Sequence, residues 1–161
     1  MTRLHVPIKL RWSDLDAYGH VNNAAMLTLL EESRISVFWH GELGVDGVQD
    51  AAAPSTDDTG PGGDTLTLIA RQEVEYLAPI PYLREPLDVQ LWIGRMGGAS
   101  LDVCYEVRSP VGVEPQVVYA LASSAIVLVD SSTMRPRRMT DSERAAWSAY
   151  LEAPVEFTKR G

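Results

Sequence analysis

One long leucine-rich helical stretch, followed by four strand-like segments in succession, limits this chain to few architectures. On a helical wheel, residues 24–40 place Met26, Leu29, Leu30, Ser33 and Val37 on one face, with Leu27 at its margin. Glu31, Glu32 and Trp39 lie opposite, and Ile35 falls with them. A helix apolar over most of its circumference is one wrapped by other structure. The segments that follow supply the wrapping. TLTLIARQEVEYLAP puts Leu66, Leu68, Ala70, Val74 and Tyr76 on one face under strict alternation. PLDVQLWIG alternates Leu87, Val89, Leu91 and Ile93, and SLDVCYEVRS alternates Leu101, Val103, Tyr105 and Val107. Residues 95–100, RMGGAS, form a tight hairpin connection between them. QVVYALASSAIVLVD is apolar on both faces and rich in Ala and Ser, as a central strand would be.

Ahead of the helix, residues 4–12 alternate Leu4, Val6, Ile8, Leu10 and Trp12 and read as a strand. At the C-terminal end, TDSE at 140–143 is a capping box opening a short helix through about Leu151. The tail VEFTKRG has no assignment. The order is therefore β, long α, four β, short α, which predicts an α+β domain: an antiparallel sheet of about five strands wrapped around one long central helix. A single domain over 1–161 follows, with its core at about 4–139. Residues 44–64, containing DAAAPSTDDTGPGGD, have little to bury and several breakers. They read as a mobile surface loop that either covers a site or is dispensable. The outer strands of such a sheet expose edges, and edges of this kind are commonly paired across subunits.

The stretch RWSDLDAYGHVNN carries the chemistry. Asp14 and Asp16 end the first strand, and a Gly19-His20-Val21-Asn22-Asn23 turn leads into the helix. Asn22 or Asn23 can cap that helix, which should stop near Gly41. A helix N-terminus presents unpaired N–H groups and partial positive charge. A carboxylate beside such donors is the minimum apparatus for acyl transfer. Asp14 reads as a structural acceptor for turn N–H groups. Asp16 reads either that way or as the reacting group, and His20 as a turn residue or a substrate-orienting acid-base. No G-x-S-x-G elbow points to a serine triad.

Composition removes other classes. The net charge of −8 argues against general nucleic-acid binding. No run approaches the ~18 apolar residues of a membrane span, and the N-terminus lacks the apolar core of a signal peptide. Cys104, the lone cysteine, sits in a strand and reads as structural, which fits a reducing cytoplasm. His5 and His40 are isolated, and no set of metal ligands is evident. Nucleotide hydrolysis and dinucleotide binding lack their glycine motifs. No cofactor is implied.

DLDAYGHVNN, followed by a helix with LLEESR, resembles the hotdog-fold acyl-CoA thioesterases of the 4-hydroxybenzoyl-CoA thioesterase type. EYLAPIPYLREPLDV, RMGGASLDVCYEV and ASSAIVLVDSSTMRPRRM are similar to later strands of that family, in the same order, so the resemblance spans about 4–139. It implies a hotdog fold and hydrolysis of an acyl-CoA. Asp16 then matches the catalytic carboxylate, as nucleophile or general base. The backbone N–H of Asn23 matches the group that polarises the carbonyl, although Asn23 could instead orient substrate or water. His20 is grouped with them, while Gly19 and Asn22 belong to the motif as substrate-binding positions. Met26 stands where this branch often has tyrosine and bears on the acyl-pocket shape. Tyr76 and Trp92 read as core, interface or acyl-pocket lining. For the phosphates of coenzyme A, Arg95 with Gly97 and Gly98, and the cluster Arg135, Arg137 and Arg138, are candidates, or else solubilising surface arginines. The competing functions are hydrolysis of acyl groups on acyl carrier protein, which shares the phosphopantetheine arm, and acyl-CoA binding without turnover; a purely structural oligomer component is a third. The paired Asp/His signature expected of a hotdog hydratase is missing. A homodimer, or a tetramer made of two hotdog dimers, is the expected assembly.

Overall fold

The computed structural model describes residues 3–38 and 63–160. Five strands, β1 (Leu4–Ile8), β2 (Thr65–Tyr76), β3 (Leu87–Met96), β4 (Ser100–Arg108) and β5 (Val118–Asp130), form one antiparallel sheet in the order β1-β3-β4-β5-β2. The long helix α1 (Asn23–Phe38) packs on one face of this sheet, and the short α2 (Asp141–Ser148) follows β5. This is the hotdog arrangement that the segment order and the resemblance predict. The expected helix end near Gly41, and most of the expected loop at 44–64, lie outside the described residues.

The core fills the space between α1 and the sheet. From α1 it takes Met26, Leu29, Leu30 and Val37, the stripe read from the wheel. From β3 and β4 it takes the alternating residues Leu87 to Ile93 and Leu101 to Val107. Aligned registers build continuous rows under the helix. Leu4, Leu91, Tyr105, Ala122 and Val74 form one; Val6, Val89, Val107, Ala120 and Tyr76 form the next. Burial of about 25 cal/mol per Å² of apolar surface is what holds these rows against α1.

Two expectations are corrected. The first strand ends at Ile8, not Trp12, because its partner runs out: Ile8 faces Leu87, the first residue of β3, and the preceding Pro86 has no N–H to give. Trp12 instead begins a single 3-10 turn and stacks on Tyr82 with ring centroids 4.4 Å apart. In β2, a bulge between Ile69 and Arg71 adds one residue and inverts the phase. Val74 and Tyr76 face α1 as expected. Leu66 and Leu68 do not share that face; Thr67 and Ile69 take it, opposite Leu128 and Ile126.

The unassigned tail crosses the opposite face of the sheet. Leu151 bridges to Ile93, the Trp92 indole N–H donates to the Ala153 carbonyl over 2.9 Å, and Thr158 donates twice, at 2.7 Å, to the Glu75 carboxylate. Arg3 is held between the Trp92 ring, 3.9 Å away, and Glu152. This cover accounts for the apolar Trp92 and Cys104 on a face whose other β3 and β4 residues, Gln90, Asp102 and Glu106 among them, are polar. It also buries Cys104, whose thiol is pushed up by desolvation and is therefore a weak nucleophile. The hairpin after Met96 closes through Gly97 N–H to the Ser100 carbonyl, 2.7 Å, and Thr140 and Glu143 make the expected reciprocal capping box on α2.

Candidate active site

The turn between β1 and α1 is a small framework of backbone hydrogen bonds. Asp14 is buried and accepts from the Arg11 N–H (2.7 Å) and guanidinium (3.0 Å), the structural role expected of it. Its carbonyl accepts from the Asn22 N–H at 2.8 Å, and Val21 N–H reaches the Ile80 carbonyl at 2.9 Å. The chain entering α1 is thus pinned on both sides. Gly19 closes the turn, donating to the Asp16 carbonyl at 3.1 Å with φ +76°, the left-handed conformation that glycine adopts without cost.

Asp16 uses one carboxylate oxygen to hold this turn. Its Oδ1 accepts from the Tyr18 N–H at 2.8 Å and the His20 N–H at 3.3 Å. One oxygen therefore fixes the side chain, and the other, Oδ2, is without a hydrogen bond among the described residues.

At the helix start, Asn22 is the cap: its Oδ1 accepts from the Ala24 N–H (2.8 Å) and the Ala25 N–H (3.2 Å), and its carbonyl accepts from Met26. Asn22's own N–H is taken by Asp14. Of the donors in the first turn, that leaves the Asn23 N–H without a hydrogen bond among the described residues. The Tyr76 hydroxyl, at the end of β2, donates to the Asn23 carbonyl at 2.6 Å. Burial pushes its ionisation up, so it remains a protonated donor.

A cavity of about 330 Å³ brings these groups together. Asp16, His20, Asn22, Asn23, Met26 and Tyr76 line one side. The opposite wall is the segment 77–80, held by Leu77 and Ala78 N–H groups donating to the Tyr119 carbonyl. Sequence reasoning missed that wall; its signal was the apolar, proline-rich run just past Tyr76. Gly19 is not among the lining residues, and its place is that of a turn former.

The proposed phosphate ligands are elsewhere. Arg137 donates to Thr65 at 2.7 Å and to both oxygens of Glu143 at 2.9 and 2.6 Å, holding the Glu143 carboxyl below its usual range. The Gly97 carbonyl accepts from Arg144 and the Gly98 carbonyl from the Met139 N–H. Arg95 pairs loosely with Asp102 at 3.6 Å, and Arg135 is exposed on the β5 exit. Arg135, Arg137, Gly97 and Gly98 gather toward the start of β2, and Arg95 lies level with Arg71 midway along it, whereas Tyr76 marks where the strand ends and none of them lines the cavity. Within one protomer they do not reach the cavity.

A five-stranded antiparallel sheet around one long helix is the hotdog arrangement, and Asp16 and Asn23 line one cavity of it. Residues 10–153 match the Thioesterase-like superfamily, and the chain belongs to that superfamily. The uncharacterized protein YsmA of Bacillus subtilis is 28% identical over 99 residues, 61% of this chain and 56% of that protein, so the match spans about half of that relative's length. A predicted thioesterase from Bacillus stearothermophilus superposes with a TM-score of 0.72 at 24% identity, covering 96% of this chain and 100% of the other. The PA2801 protein of Pseudomonas aeruginosa is 30% identical with a TM-score of 0.67, over 90% and 98% of the two chains. A thioesterase from Thermus thermophilus, solved in complex with coenzyme A and Zn, is 25% identical with a TM-score of 0.65, over 91% and 93%. No helix among the described residues is long and apolar enough to cross a membrane.

Proposed function

We propose that this protein is an acyl-CoA thioesterase of the 4-hydroxybenzoyl-CoA thioesterase type, releasing a free carboxylic acid and coenzyme A. The observation that carries the reading is the sharing of one cavity by the unpaired oxygen of Asp16 and the unbonded N–H of Asn23. A thioester carbonyl seated there receives the Asn23 N–H on its oxygen, where charge grows in the transition state; such a donor is worth ~3 kcal/mol. Asp16 Oδ2 then attacks the carbonyl carbon, expelling the thiolate and leaving a mixed anhydride that water cleaves, or it draws a proton from water that attacks directly. Thioesters are activated enough for a carboxylate to suffice. His20 and Met26 shape the acyl entrance, and Tyr76 holds the helix start.

The coenzyme A complex of the Thermus thermophilus relative supports coenzyme A as the thiol carrier. The phosphate-binding role of Arg95, Gly97, Gly98, Arg135 and Arg137 is compatible with this cavity only if the ligand belongs to a second protomer. The free edge of β2, which exposes Leu68 and Ile69 to 41% and 37%, supports pairing with such a copy in a dimer or tetramer. A single domain in a reducing cytoplasm completes the reading. Hydrolysis of an acyl-CoA panel followed with a thiol-reactive dye, for wild type and Asp16→Ala, tests it. Acyl-carrier substrates run in parallel separate the two carriers. Loss of activity on every thioester only in the variant is expected; equal rates in both proteins would sink the assignment.

A further inference from the structure

Arg34 lies on α1 with only 9% of its surface exposed, and its Nη1 donates to the hydroxyl of Tyr105, a fully buried neutral group, at 3.1 Å. Among the described residues no carboxylate stands within ion-pair distance of it. A guanidinium carries five N–H donors, and a buried charge without an anion is costly. The guanidinium borders a cavity of about 110 Å³, lined by Glu31, Ile35 and Phe38 of α1, Thr67 and Ile69 of β2, and Ile126 of β5. Both this cavity and the one at Asp16 lie between α1 and the β2 side of the sheet. Asn23 and Arg34 are eleven positions apart on one helix, close to three full turns, so they share a side of α1 about 16 Å from one another.

We propose that Arg34 is an anion anchor for the far end of the acyl group, so that the enzyme favours acyl-CoA substrates bearing a distal carboxylate. This rests on the thioesterase reading above. The cavity is a few times the ~30 Å³ share of one water molecule, which suits a carboxylate and the end of a chain. It does not suit a nucleotide. Beside Glu31 and Thr67, its walls include Ile35, Phe38, Ile69 and Ile126, which offer apolar contact to the stem of an acyl chain. A planar guanidinium accepts a carboxylate in a paired, bidentate geometry. Glu31, one turn before Arg34 and exposed, makes no ion pair with it: the guanidinium is turned inward to Tyr105, away from the rim where an acid of a second copy would arrive.

The test compares adipoyl-, suberoyl- and sebacoyl-CoA with hexanoyl-, octanoyl- and decanoyl-CoA, on wild type, Arg34→Gln and Arg34→Lys. Wild type is expected to favour a carboxylated chain of one length over its uncharged match by about tenfold or more in kcat/KM, the worth of a charged hydrogen-bonded pair. Arg34→Gln removes that preference while changing uncharged substrates by less than about threefold, and Arg34→Lys retains part of it. Calorimetric binding of the same ligands to Asp16→Asn separates the two readings. Arg34-dependent binding of carboxylated chains without turnover in wild type would refute hydrolysis and keep the anchor. Preference for uncharged chains at every length, or equal losses on both series in Arg34→Gln, overturns the anchor. So does a sedimentation result in which Glu31→Gln and Arg34→Gln weaken self-association alike, since Glu31 of a second copy would then be the missing anion.

Discussion

The Tyr76 hydroxyl donates to the Asn23 carbonyl oxygen at 2.6 Å, tying the last residue of β2 to the first residue of α1. Because the Asn23 N–H is the donor left unbonded in the first turn, this bond sets the orientation of the helix end to which the proposed mechanism assigns the reacting carbonyl. Tyr76→Phe removes it without emptying the site. The expected result is a fall in kcat of about tenfold with KM little changed, and a stability loss of ~1 kcal/mol. Steady-state kinetics with a melting curve checks both; a change confined to KM would show that Tyr76 touches substrate instead.

Asp16→Asn keeps an oxygen for the Tyr18 and His20 N–H groups and discards only the charge on the other atom. Hydrolysis should drop by a factor of about 10² or more, in the range of general acid–base contributions, while the melting temperature stays within a few degrees. Asp16→Ala should lose comparable activity and also loosen the turn. Normal turnover by the Asn variant would rule out both the nucleophilic and the base mechanism.

Asn22→Ala deletes the acceptor for the Ala24 and Ala25 N–H groups. Loss of such a cap costs ~1 kcal/mol, and it leaves further donors competing for the carbonyl. Lower stability together with reduced kcat is expected, with Asn22→Asp restoring the cap and most of the stability. Thermal unfolding of the three proteins decides it.

Arg137 belongs to a structural network, so Arg137→Ala should lower stability by about 1–3 kcal/mol and leave KM for acyl-CoA nearly unchanged. The pH dependence has a definite sign. Arg137's hydrogen bonds hold the Glu143 carboxyl below its unfolded value, so their stabilisation is complete above that value, about 4.3, and is lost as pH falls through the folded one. The gap in melting temperature between wild type and variant should be full at neutral pH and shrink under acid. A large rise in KM with an unchanged melting temperature would return Arg137 to the phosphate-binding group.

Gly19→Ala places a side chain at φ +76°, where no neighbour lies within 4 Å of the new Cβ. The cost is conformational, about 1–2 kcal/mol, and Gly19→Asn should recover part of it. A steric explanation predicts the reverse order and would show in the same melting experiment.

The features settled by the sequence alone are those whose physics is local. The alternation of Leu87–Ile93 and of Leu101–Val107, the buried stripe of α1, the capping box at Thr140 and Glu143, and the glycine hairpin at 97–98 each depend on neighbours a few positions away. The motif from Asp16 to Asn23 was legible for the same reason, since one tight turn delivers the carboxylate to the helix end. Sequence could not choose between Asn22 and Asn23 as the cap, because either side chain can accept from the N–H groups two and three positions beyond it; the Ala24 and Ala25 N–H groups donating to Asn22 Oδ1, with Asn22's own N–H on the Asp14 carbonyl, fixed the choice. It could not place the β2 bulge, because residues of both phases there are apolar, and only pairing with β5 shows which row meets α1. It could not tell that Arg34 is turned beneath the helix to Tyr105, seventy-one positions away, or that Arg137 is taken up by Thr65 and Glu143. Those depend on which strands lie side by side, a matter of long-range packing that composition and period leave open.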